Sequence, residues 1–237
     1  MIIGGLQKFS LIDYPKHLSA IIFTQGCNFK CQFCYNPMLV WPSVSKSKQK
    51  DHYPQIKEDD LFAFLKSRVG KLEAVVITGG EPTLHKDLSV FMAKIKKLNY
   101  LIKLDTNGSK PEMLQDLINK RLVDYIALDI KAPEAKYKKV IGGPADFKKI
   151  KKSVKIIMEN GLPHEFRTTI VPSLLNKGDI IKIAKIIKGA RAWYLQQFKL
   201  DVDLVNNKLK GIKPFTVKDM EEMRRLAGRY VKKCKIR

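Results

Sequence analysis

The chain has 237 residues, with 45 Lys+Arg against 23 Asp+Glu and a formal net charge of +22 at neutral pH. That length fills one larger α/β domain or at most two small ones, and a single domain over residues 1–237 is the expectation. No apolar run approaches the eighteen or so residues of a membrane span, and the N-terminus MIIGGLQKFSLIDYPK lacks the charged-then-apolar layout of a secretory leader, so a cytoplasmic protein without a membrane partner is expected.

In chain order, six compact apolar runs predict strands: Ser19–Thr24, Ala74–Thr78, Leu101–Asp105, Tyr125–Ile130, Glu165–Val171 and Ala192–Gln197. They show little period-two alternation, the pattern of strands buried on both faces of a parallel sheet. Between them the helices have readable ends. Glu58–Val69 is stopped by Gly70, and Asp87–Leu98 by Asn99. Pro111–Asn119 is opened by Ser109 with Glu112 three residues on, and Asp146–Asn160 closes at Gly161. A helix from about Asp179 to Ile187 follows an Asn-Lys-Gly-Asp turn, and a last one starts at Thr216, with Asp219 in the reciprocal capping position, and runs to about Lys232. The irregular stretch 39–55, rich in Ser, Lys and Pro, reads as a surface loop or lid. Strands alternating with helices leave an open doubly wound sheet or a partial barrel.

The charge excess is mostly lysine interleaved with apolar residues, as in KKIKKSVKIIMEN. That is the solvated face of amphipathic helices more than a nucleic-acid surface, which gathers arginines and aromatics, so a nucleic-acid partner is not expected.

Parallel α/β sheets bind ligands at the carboxyl ends of their strands. There this sequence places the loop 25–38 with Cys27, Cys31 and Cys34, then Gly79-Gly80-Glu81-Pro82, Asp105-Thr106-Asn107-Gly108, Asp129-Ile130-Lys131, Arg167, and Gln196-Gln197. In a reducing compartment such clustered thiols point to metal or redox chemistry. A structural zinc site takes four ligands, commonly in two pairs, and no second pair follows; Cys234 stands alone, and His52 and His85 have no paired partner. A cubane iron–sulfur cluster held by three cysteines leaves one iron open to bind a ligand. A non-catalytic zinc or RNA-binding protein is the alternative from another class.

The C-x3-C-x2-C spacing with Phe33 before the third cysteine resembles that of the radical S-adenosylmethionine (SAM) enzymes. The resemblance implies a partial (βα)6 parallel barrel and one [4Fe–4S] cluster on Cys27, Cys31 and Cys34, whose open iron is chelated by SAM. Reductive cleavage of SAM then yields methionine and a 5′-deoxyadenosyl radical, while the protein positions the cofactor and excludes side reactions. Gly79-Gly80-Glu81-Pro82 resembles the family's GGEP segment, where Glu81 and nearby carbonyls meet the SAM amino group.

DTNG at Asp105–Gly108, with Asn107 among its residues, and LDIK at Leu128–Lys131 resemble segments of the activases of glycyl radical enzymes. The likeness implies a monovalent cation held by Asp105, Thr106, Asp129 and the Ala127 carbonyl, with Lys131 and Arg167 beside the SAM carboxylate. GGLQKFSLIDYPK is similar to the start of activating proteins for anaerobic ribonucleoside-triphosphate reductase. The implied partners are a glycyl radical enzyme as protein substrate and a flavodoxin or ferredoxin as electron donor. A radical SAM enzyme acting on a small molecule or nucleotide, similar to 7-carboxy-7-deazaguanine synthase, is the second reading. Two departures from the activase pattern are Tyr35 where a His is common after the third cysteine, and Lys16 where SLIDYPG has glycine. No cysteine lies in 35–59, so one cluster is expected, with Cys234 a structural or exposed free thiol.

Overall fold

The computed structural model describes residues 1–40, 55–200 and 202–237; most of the expected lid, with His52, lies outside the described residues. The chain divides into two compact units: residues 1–28, 38–106 and 112–126 form the first, and 29–37, 107–111 and 127–237 the second.

The first unit opens with β1 (Ile3–Ser10), β2 (Ser19–Thr24) and a short helix α1 (Pro37–Val40), followed by α2 (Glu58–Ser67), β3 (Ala74–Gly79), α3 (Leu88–Lys96), β4 (Leu101–Thr106) and α4 (Pro111–Asn119). Parallel pairing joins β2 to β3 and β3 to β4, with Ile21 opposite Val76 and Val76 opposite Lys103. Their side chains are buried along nearly the whole run, which is why apolar residues fill both faces. Tyr14, Ile21, Ala74 and Val76 form one apolar cluster, with Phe23, Leu101 and Tyr125 packed against it. The helices bury matching stripes, Leu61 and Leu65 in α2 and Leu88, Phe91, Met92 and Ile95 in α3.

β1 is a strand the sequence did not announce. It runs antiparallel to β2, with Leu6 opposite Ile22 and Ser10 opposite Ser19, and register shifts fall at Gly5 and before Ser10. Glycines at positions 4 and 5 weaken a strand pattern, yet a Cβ on Gly4 would lie 2.6 Å from Leu39 Cδ2. Leu39 and Val40, placed in the surface loop by composition, are in fact buried in α1. After β1 the chain turns on Ser10, whose Oγ accepts from the amides of Ile12 (3.2 Å) and Asp13 (3.3 Å). Lys16 then adopts φ 70°, the left-handed backbone that explains why glycine suits this position.

β5 (Tyr125–Asp129) carries the chain from the first unit into the second. There follow α5 (Glu134–Ile141), α6 (Phe147–Glu159), β6 (His164–Ile170), α7 (Lys177–Ile186), β7 (Trp193–Gln197), α8 (Val217–Ala227) and β8 (Cys234–Ile236). Parallel pairing joins β6 to β7 and β7 to β8. Lys148, Lys149, Lys151, Lys152 and Lys155 of α6 are all exposed while Phe147, Ile150, Val154 and Ile157 are buried, the amphipathic arrangement expected of its lysines.

Most element ends lie within a residue or two of expectation, and three differences stand out. α7 begins at Lys177, not Asp179, because Asn176 is the cap: its side chain accepts from the Asp179 amide and the Asp179 carboxylate accepts from the Asn176 amide, each at 3.0 Å. α8 opens with the predicted Thr216–Asp219 capping box but stops at Ala227. Beyond it the Lys232 amide donates to Ala190 O (2.9 Å) and the Trp193 amide to Lys233 O (2.9 Å), so backbone bonds to neighbouring chain replace helix propagation and lead into β8. Finally, α5 is a helix where none was expected, although Tyr137, Val140 and Ile141 make its buried face.

Candidate active site

Strand ends carry the candidate residues in each unit. In the first, β2 and β3 finish side by side, and the glycine pair lets their exits touch. Gly79 has φ 110°, and a Cβ there would lie 2.4 Å from the Thr24 nitrogen. On Gly80 a Cβ would lie 2.1 Å from the Gly26 carbonyl oxygen, far inside contact distance. The Gly80 and Glu81 amides donate to Thr24 O and Gly26 O, both at 2.8 Å. The glycines thus seat the start of the cysteine loop directly against the GGEP turn. Half-buried Cys27 follows immediately after Gly26.

Glu81 is 1% exposed. Its Oε1 accepts from the Thr83 amide (3.1 Å), from the Thr83 hydroxyl and from the Thr106 hydroxyl (2.8 Å). Thr106, expected at a cation, therefore also ties the GGEP turn to β4. One residue earlier, the buried Asp105 carboxylate lies 3.3 Å from Lys103 Nζ.

In the second unit the cysteine loop is moulded on α5. The Lys30 amide donates to Ile141 O (2.9 Å), the Gln32 amide to Val140 O (3.2 Å), and the Gln32 side chain to Lys139 O (2.6 Å). Gly142, at φ 66°, is essential to this fit, because a Cβ there would lie 2.5 Å from Lys30 O. Phe29 meets Tyr137 edge-on at 6.1 Å. The Cys34 amide donates to Cys31 O (3.0 Å), closing a turn that carries both thiols. Tyr35, the departure from His, accepts from the Lys199 amide through its hydroxyl (2.8 Å) and stacks on Phe198, fastening the loop to the segment after β7.

Beside this loop Asp129, Lys131 and Arg167 form one charged group. Arg167 Nε donates to Asp129 Oδ1 at 2.6 Å and Lys131 Nζ to Oδ2 at 2.9 Å, and Lys131 lies over the Phe33 ring. Burial pushes the Asp129 carboxyl up, but Arg167 and Lys131 outweigh it and hold it well below the usual carboxylate range. Lys131 stays charged against its own burial through Asp129. Burial raises the Cys31 thiol to about 11, with Lys131 opposing, and raises Cys34 as well. Thiols so held become good ligands when a metal supplies positive charge. Asn107 accepts from the Ser109 amide (2.9 Å) and so shapes its own turn, while the Gly108 carbonyl accepts from Ser153 Oγ (2.7 Å).

Within the first unit the structure thus brings Gly79, Gly80, Glu81 and Thr106 together; within the second it groups Cys31, Cys34, Asp129, Lys131 and Arg167. Among the described residues no three or more His, Cys, Asp or Glu side chains gather as they would around a single metal ion; a cubane spreads its ligands over separate irons. Sequence reasoning missed Lys103, Thr83 and Tyr137. Only Tyr137 carried a signal, the helical spacing of α5.

Residues 21–187 match the Radical SAM superfamily. The chain is 35% identical, over its full length and 95% of the other protein, to a Methanocaldococcus jannaschii protein named as a glycyl-radical enzyme activating enzyme. It is 25% identical to the pyruvate formate-lyase-activating enzyme of Streptococcus mutans, over 84% of this chain and 76% of that one. Among solved structures, Streptococcus suis SuiB bound to S-adenosylmethionine superposes with a TM-score of 0.67 at 16% identity, covering 91% of this chain and 49% of SuiB, a likeness of fold.

Proposed function

The chain belongs to the radical SAM superfamily, and from that premise we infer that it abstracts one hydrogen from a glycine Cα of a partner enzyme, most closely an anaerobic ribonucleoside-triphosphate reductase. The superfamily match runs across both units, which supports reading residues 1–237 as one radical SAM domain of the partial (βα)6 type. The observation that carries the reading is the group of Asp129, Lys131 and Arg167 set beside the buried Cys31 and half-buried Cys34 thiols. It sets two fixed cations next to the cysteines, the kind of group with which a SAM carboxylate would pair.

The residues fit the cofactors that the family uses. Cys27, Cys31 and Cys34 would hold a [4Fe–4S] cluster: soft sulfur donors, with Cys31 buried and Cys34 half-buried near the Lys131 ammonium. When bound, that cluster supplies the electron for reductive SAM cleavage, delivered by a flavodoxin or ferredoxin. Lys131 and Arg167 would take the SAM carboxylate. Glu81, with its carboxylate fixed by Thr83 and Thr106, would sit as the negative counterpart for the amino group, and the Gly79-Gly80 turn would keep its carbonyls in line. Asp105, Thr106 and Asn107 complete the set on the β4 side. No side-chain general base is required, because a hydrogen atom and not a proton leaves the glycine. The resemblance of GGLQKFSLIDYPK to the reductase activators is what favours that partner.

The test is low-temperature electron paramagnetic resonance on reconstituted, reduced protein mixed anaerobically with SAM and the same organism's anaerobic reductase. A glycyl radical doublet that requires SAM and disappears with Cys31→Ala is expected. SAM cleavage with no doublet on any glycyl radical candidate would overturn the activase reading in favour of a small-molecule substrate.

A further inference from the structure

Lys103 stands in the middle of β4 with its side chain 2% exposed. An ammonium so deeply buried is costly unless acceptors surround it. Groups of the first unit that do so include the Asp13 carbonyl at 2.6 Å, Asp105 Oδ1 at the ion-pair distance of 3.3 Å, and the face of Tyr125, whose ring centroid is 5.7 Å away. Lys103 and Asp105 are two apart on one strand and so share a face. The Asp13 carbonyl belongs to the turn that Ser10 Oγ organises, and the next residue, Tyr14, is locked in the apolar cluster with Ile21, Ala74 and Val76. The ammonium is therefore fixed from the amino ends of the strands and spans toward the carboxylate near their carboxyl ends. As a stability device it is a poor choice, since a packed apolar residue in place of a buried ion pair is often neutral or stabilising. Its use lies in what it does to Asp105.

We propose that Lys103 is a positioning residue for SAM binding: its buried ammonium, at ion-pair distance from an Asp105 oxygen that accepts no hydrogen bond, supplies there the positive charge that a bound sodium or potassium ion would otherwise supply. The inference rests on the functional reading above and adds a property to it, SAM binding that is indifferent to the monovalent cation present. Lys103 acts through Asp105 and touches no reacting atom.

The experiment is SAM binding by equilibrium dialysis to cluster-reconstituted protein in sodium, potassium and choline chlorides of equal ionic strength, with thallium(I) NMR as a direct probe of cation binding. For the unmodified chain the dissociation constant should agree within about twofold in all three salts, with no saturable thallium site. Lys103→Met should bind SAM about tenfold more weakly in choline, recover in potassium, and acquire a saturable thallium site. Unmodified protein that loses about tenfold in affinity when choline replaces potassium would overturn the proposal, as would Lys103→Met that matches it in every salt. If Lys103→Met does not fold, the salt series and thallium titration on the unmodified protein decide alone. Unmodified protein that binds no SAM in any salt overturns the functional reading and this inference with it, whereas SAM binding that does not depend on Lys103 overturns the inference only.

Discussion

Glu81 in the first unit and Asp129 in the second are both carboxylates sunk at the ends of parallel strands, and they are held by different chemistry. Glu81 receives hydroxyls and an amide, from Thr83 and Thr106. Asp129 receives a guanidinium and an ammonium, from Arg167 and Lys131. Neutral donors hold a carboxylate by hydrogen bonds alone, and on the proposed reading Glu81 takes the SAM amino group. Cationic donors bring positive charge to the carboxylate they hold, and on the proposed reading Lys131 and Arg167 take the SAM carboxylate. The difference teaches that the identity of the donors, more than the carboxylate itself, sets the electrostatic character around each carboxylate.

Breaking the backbone that supports the Glu81 side should have the largest effect. Gly80→Ala puts a Cβ 2.1 Å from the Gly26 carbonyl; overpacking of that kind should cost about 3 kcal/mol in urea unfolding and abolish measurable SAM binding. On the other side, Arg167→Met leaves Asp129 with Lys131 alone, expected to cost about 2 kcal/mol, because the pair is only partly shielded and one cation remains; SAM affinity should fall about tenfold. Thr106→Val removes one hydroxyl from the neutral clamp, at about 1.5 kcal/mol, with a smaller loss of SAM affinity than Arg167→Met causes. If Thr106→Val proves the more damaging to SAM binding, the assignment of charge roles is wrong.

Alkaline titration sharpens the view of the first unit's floor. Burial, with Asp124 adding to it, raises the Tyr14 phenol from 10.0 to about 12. The folded state therefore holds that proton more tightly than the unfolded chain. Its contribution is complete below pH 10 and is lost as pH rises toward about 12. Tyr14→Phe should flatten the fall of unfolding free energy across that window. Smallest is Lys16→Gly: relief of the left-handed backbone is offset by the greater freedom of glycine in the unfolded chain, so stability should move by less than about 1 kcal/mol.

Six strands were legible because residues such as Val75, Val76 and Ile77 are buried on both faces and leave no alternation to confuse. β1 was hidden by Gly4 and Gly5 together with its exposed stretch at Gln7–Phe9, and β8 by its three-residue length in a lysine-rich tail. The cysteine spacing exposed the candidate site readily, since few other chemistries need three thiols at that interval. The glycine pair also has a purpose that the resemblance did not announce: the missing Cβ atoms of Gly79 and Gly80 make room for Thr24 and Gly26. Lys103 could not have been found from sequence, because its partners Asp13 and Tyr125 are brought to it only by the fold.

The central claim, hydrogen abstraction from a partner's glycine, is tested most directly by isotope transfer. The partner enzyme is made with glycine deuterated at Cα and incubated anaerobically with SAM and the reduced, cluster-loaded protein, and the 5′-deoxyadenosine formed is analysed by mass spectrometry. Deuterium in 5′-deoxyadenosine, absent with Cys31→Ala, is the predicted result; 5′-deoxyadenosine formed without deuterium while the partner is present would contradict it.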